Sequence, residues 1–88
     1  MERTKVIFRD VAYDTGDKEI LALFPEMINE YNGLVECYAH TGQHSQADYH
    51  YIIRISKPAK PEQYAPLLKE LKSIGYVLDI KKRYSFNR

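Results

Sequence analysis

The sequence predicts an α+β domain: a mostly antiparallel sheet of about five strands, ordered β-β-β-β-α-β, with one C-terminal amphipathic helix packed on one face. Three observations carry that reading. Short β-favouring runs occupy the first 56 residues, separated by Asp/Gly and Asn-Gly turn signals. Sustained helical periodicity occurs once, between Pro61 and Ile74. A chain of 88 residues, 44% hydrophobic, builds one core and therefore one domain over residues 1–88.

Val6, Ile7 and Phe8, edged by Lys5, Arg9 and Asp10, make the first strand, Lys5 to Ala12, at or near a sheet edge. Tyr13-Asp14-Thr15-Gly16-Asp17 is a turn of hairpin length, because Asp bonds its own backbone and Gly accepts positive φ. Lys18 to Pro25 is the second strand: Ile20 to Phe24 is apolar without interruption, which fits a strand covered on both faces, although periodicity alone allows a helix start as well. Pro25, lacking an amide donor, is expected to end that strand. Met27, Ile28 and Tyr31 have the spacing of a single helical turn before Asn32-Gly33. Leu34 to His40 alternates, and Val35, Cys37 and Ala39 are assigned to the core.

Tyr49 to Ser56 also alternates, with Tyr49, Tyr51, Ile53 and Ile55 against His50, Ile52, Arg54 and Ser56, and is expected to be the fourth strand. Tyr64, Leu67, Leu68, Leu71 and Ile74 form one helical stripe. Pro61 suits the first turn and Gly75 the C-terminal stop, while Lys60 is a poor N-cap and Pro66 weakens the opening turn. A helix of about 14 residues spans roughly 21 Å and carries the chain back along the sheet. The last strand, Tyr76 to Lys81, is therefore expected to run parallel to the fourth.

The chemically richest stretch is Tyr38 to Tyr51, read as a polar loop between strands three and four. It holds all three histidines, His40, His44 and His50, together with Asp48, Thr41, Gly42, Gln43, Ser45 and Gln46. A loop centred on Ser45 sets His40 opposite His50 at about 5 Å. His40, His44, Asp48 and His50 would then suit zinc or a similar divalent ion, although their spacing matches no established ligand motif. Hydrogen-bonded histidines in an ordinary hairpin account for the same residues.

Nucleophile–base pairs can be drawn from Cys37 with His40, or from Ser45 with His44 and Asp48. A strand points Cys37 and His40 to opposite faces, and the chain has neither a Gly-x-Ser-x-Gly elbow nor a phosphate-cradling glycine loop. No catalytic residue and no cofactor are assigned. Tyr49, Tyr51, Arg54 and the Lys81–Arg83 run could stack and neutralise a nucleic acid. Thirteen basic residues against 12 acidic leave a charge of +1, too little to draw the chain onto phosphate backbones, so this is the lesser reading. A lone Cys37 excludes an internal disulfide. With a charged N-terminus and no apolar run of about 20 residues, it implies a cytoplasmic protein without a membrane partner.

Val6-Ile7-Phe8-Arg9, Ile20 to Pro25, and Tyr38 to His44 with Ala47-Asp48-Tyr49 form a pattern that Lys57-Pro58-Ala59, Pro61 to Ala65 and Leu71 to Tyr76 continue. The pattern, with its His-x-Gly-Gln-His core at His40–His44, is similar to a group of small uncharacterised proteins encoded by bacteriophages and bacterial mobile elements. The resemblance spans nearly the whole chain and implies that genetic context. It implies no activity, so it transfers no residue role; Lys60 stands where the pattern has a small polar residue. The expected function is a non-enzymatic binding module for a protein partner, using His40, Gln43, His44, Gln46, Asp48 and His50. The divalent-metal site is the first alternative and weak nucleic-acid binding the second.

Overall fold

The computed structural model describes residues 3–39 and 43–82, and of Gln43 the backbone alone. Six strands form one sheet: β1 Thr4–Ala12, β2 Lys18–Ile28, β3 Val35–Ala39, β4 Gln43–Ala47, β5 Ser56–Pro58 and β6 Leu78–Lys81. Two helices accompany them, α1 Tyr49–Arg54 and α2 Pro61–Ile74. The strand order is β4-β3-β2-β1-β5, and β6 pairs with β1 on the same side as β5. Among the described residues, only the β1–β6 pairing is parallel. The class is α+β, with α2 on one face as its stripe indicates.

The period-two alternation of β1, β2 and β3 sends apolar residues to both faces, so the sheet has two cores. Ile7, Val11, Leu21, Leu23, Val35 and Cys37 pack beneath Tyr49 and Ile52 of α1. Val6, Phe8, Ala22, Phe24 and Tyr38 pack beneath Leu67 and Leu71 of α2. Aromatic stacking reinforces the second core, Phe8 on Tyr64 at 4.3 Å and Phe24 on Tyr76 at 5.3 Å between centroids. Gly75, at φ +114°, ends α2 in the left-handed conformation that a side chain disfavours. At its start, Gln63 supplies what Lys60 lacks. Its Oε1 accepts from the Lys60 backbone N–H at 2.8 Å, and its Nε2 donates to Asp10 on β1 at 3.1 Å.

Several sequence expectations are corrected. Pro25 does not end β2: it lies buried in a register shift between the Phe24–Glu36 and Ile28–Val35 pairs, where a missing amide removes no ladder bond. Glu26–Ile28 accordingly continue the strand rather than forming a helical turn. The segment expected as the fourth strand is α1 followed by β5. Asp48 starts that helix by accepting the Tyr51 N–H at 3.2 Å, and Tyr49, Ile52 and Ile53 have the i, i+3, i+4 spacing that presents one face to the core. The actual fourth strand, β4, lies inside the stretch read as a polar loop. The last strand runs beside β1, not beside the chain that follows α1, and Ile74 lies outside the core.

Leu71 is fully buried whereas Ile74 is 52% exposed. Leu71→Ala is therefore expected to lower the unfolding free energy by about 2–5 kcal/mol, and Ile74→Ala to change it by no more than about 0.5 kcal/mol. Urea titration of both variants tests this packing; equal losses would contradict it.

Candidate functional site

The residues singled out in the 40–50 stretch are divided by β4 and α1. Ala39 pairs with Gln43, Tyr38 with His44 and Cys37 with Ser45. The three residues between β3 and β4, His40, Thr41 and Gly42, lie outside the described residues. His50 is on α1, so it does not stand across a hairpin ladder from His40. Alternation along β4 puts His44 and Gln46 on the α2 face, and Ser45 and Ala47 on the α1 face.

On the α2 face, His44 Nε2 lies 2.9 Å from the Tyr76 hydroxyl, and its ring meets Tyr38 edge-on at 4.8 Å. Tyr38 in turn donates its hydroxyl to Glu70 of α2 at 2.7 Å. His44 thus ties the edge of the sheet to the segment that leaves α2. Gln46 accepts from Asn32 Nδ2 at 3.2 Å. Beside it runs a groove of about 430 Å³, lined by Met27, Ile28, Asn29, Glu36, Gln46 and Tyr76. Met27 and Ile28 are exposed there, at 37% and 45%.

On the α1 face, a cleft of about 420 Å³ lies between β4 and the helix. The Cys37 thiol and Ser45 hydroxyl are 3.1 Å apart within it, and the Tyr13 hydroxyl donates to Glu19 at its border. Burial pushes the Cys37 thiol up, which keeps it protonated and a poor nucleophile. Burial and then the bond to Glu19 push the Tyr13 phenol up, and the bond to Glu70 does the same for Tyr38.

These positions bear on each chemical reading. Ser45 and His44 point to opposite faces, and Asp48 is committed to the α1 cap, so they form no nucleophile–base–carboxylate series. Among the described residues, no three His, Cys, Asp or Glu side chains come together as metal ligands. Tyr49 is buried in the α1 core, whereas Tyr51 is exposed with the Arg54 guanidinium 5.9 Å from its ring centroid. Lys81 and Lys82 border a groove at Phe8 and Tyr64, near α2. The described basic and aromatic residues suggested for nucleic acid are thus divided between the two sides of the sheet, and Arg83 lies outside the described residues.

What sequence reading missed is the edge itself. Gln43–Ala47 contains no residue of high strand propensity, so nothing local marks it as a strand. The one available signal was Gly42, close enough to Ala39 and Gln43 for a short hairpin. No protein-family model matches the chain, and no curated protein or solved structure is significantly similar to it.

Cys37, Tyr13 and Tyr38 each hold their proton more tightly folded than unfolded. The stability they lend is whole below their ordinary values, 9.0 for the thiol and 10.0 for the phenols, and is lost as pH rises through the raised ones. The melting temperature is expected to fall progressively above about pH 9, and Tyr13→Phe to make that fall shallower. Thermal scans across the alkaline range check this; an unchanged slope in the variant would contradict the role given to Tyr13.

Proposed function

We propose that this chain is a non-enzymatic binding module that takes a protein partner along β4 and the groove beside it. The observation that carries the reading is the position and composition of β4. It ends the sheet, it is paired on one side only among the described residues, and its residues Gln43, His44, Ser45 and Gln46 are polar, with no Lys, Arg, Asp or Glu among them. An open edge offers main-chain N–H and C=O groups to an added strand, and alternate side chains supply selectivity. His44 and Gln46 fill that selecting role on the α2 face, with Met27, Ile28 and Tyr76 giving apolar contact alongside. Gln43, at the start of β4, belongs to the same contact, and His40, outside the described residues, is assigned to it from the sequence alone. Asp48 and His50 flank its other end on α1. A phage or mobile-element origin, drawn from the resemblance of the His40–His44 pattern, suits a small module acting through contact rather than chemistry. A single thiol suits a cytoplasmic setting.

Replacing Gln43, His44 and Gln46 together by alanine tests the reading. The melting temperature is expected to stay within about 5 °C of the parent, because the residues lost sit on an edge and contribute little individually. Recovery of the partner held by the parent chain in host lysate is expected to be lost. A folded triple variant that still holds the partner would sink the proposal.

A further inference from the structure

We infer that the β4 edge is completed by a second copy of the same chain, the two β4 strands pairing antiparallel about a two-fold axis at Ser45. The inference rests on β4 being the contact edge and names what occupies it.

Sheet edges that stay solitary carry devices against docking, chiefly charge, proline and brevity. The far edge has them: Lys57 and Pro58 in the three-residue β5, and Asp79 and Lys81 in β6. Residues 43–47 include no charged side chain and no proline, and β4 is as long as β3. An edge so open accepts another strand, and β4 is complementary to itself. A two-fold axis at Ser45 sets Ser45 opposite Ser45, His44 opposite Gln46, and Gln43 opposite Ala47. No like charges meet at any of these positions.

The two His44–Gln46 pairs then lie on the α2 face, at the roughly 5 Å separation of direct cross-strand neighbours. With Nε2 of His44 at the Tyr76 hydroxyl, Nδ1 is the ring nitrogen that meets the Gln46 amide, whose NH2 donates and whose oxygen has a second lone pair beside its Asn32 bond. On the opposite face the small Ser45 and Ala47 leave room for approach. The contact also extends beyond the backbone. The groove lined by Met27, Ile28 and Tyr76 reaches Gln46, the position opposite His44 of the second copy. That His44 carries its own Tyr76 at hydrogen-bond distance, so each copy brings an aromatic pair towards the groove end of the other. Such a contact is isologous and closes on itself, as in the commonest soluble assemblies.

Light scattering coupled to size exclusion at about 100 µM, where a micromolar dimer is almost fully formed, is expected to give twice the 10.3 kDa chain mass. Ser45→Lys and Ser45→Glu each put like charges face to face on the axis, and each is expected to halve the mass. An equimolar mixture of the two variants is expected to regain the dimer as a heterodimer, a rescue that misfolded chains would not give. A parent chain at monomer mass would overturn the inference. So would a dimer that both substitutions leave intact, or a mixture that stays monomeric. A monomeric parent that still holds a different protein through Gln43, His44 and Gln46 would overturn self-pairing and leave the binding-module reading standing.

Discussion

The Arg9 side chain ties β1 to the end of α1 and to the start of β5. It lies in the α1-side core, 6% exposed, between β1 and the end of α1. Nε donates to the Ser56 hydroxyl at 2.8 Å, while Nη2 donates to the Ser56 carbonyl at 2.9 Å and the Ile53 carbonyl at 3.3 Å. The Ser56 hydroxyl itself donates to the Ile52 carbonyl. A helix as short as α1 leaves most of its carbonyls without intrahelical donors, and burying them unpaired would cost about 1–3 kcal/mol each. Arg9 and Ser56 answer two of them and put positive charge at the negative end of the helix. Burial weighs against that charge and lowers the guanidinium pKa from its ordinary value, yet the group keeps its donors aimed at carbonyl oxygen.

Much follows from this joint. Because α1 ends on Arg9, Ser56–Pro58 leave it alongside β1 and pair there as β5. Because Asp48 starts α1 immediately after Ala47, β4 stops at five residues and remains the end of the sheet. The helix also places Tyr49 and Ile52 over Ile7, Leu23 and Cys37, closing the core on its side of the sheet. The two ends of α1 thus border the two edges of the sheet: Asp48 follows β4 at one, and Arg9 holds the start of β5 at the other.

The sequence made β1, β3 and α2 legible through their apolar patterns and the turns at Gly16, Gly33 and Gly75, whereas the continuous apolar run of β2 fitted strand or helix and gave no sign that the strand continues past Pro25. It misled at 49–56, where Tyr49, Ile52 and Ile53 fit a helix as well as the alternating set fits a strand. Propensity favours the strand, since the run is aromatic and β-branched. The tertiary contact from Arg9, 44 residues before Ile53 and 47 before Ser56, decides otherwise, and no window along the sequence contains it. Asp48 was legible as a polar group but read as a ligand candidate rather than as a helix cap. The candidate site was legible only as a composition. His44 stood out, yet its neighbours Tyr38 and Tyr76 come from β3 and from the residue after the α2 cap. Pairing across the sheet, not proximity in sequence, assembles them.

Nuclear magnetic resonance of the 43–58 segment tests this account most directly. Extended Cα shifts are expected at residues 43–47, and helical shifts with sequential amide–amide contacts at 49–54. The Arg9 side chain is expected close to Ile53 and Ser56. Extended shifts running unbroken from Tyr49 to Ser56, with no contact to Arg9, would contradict it.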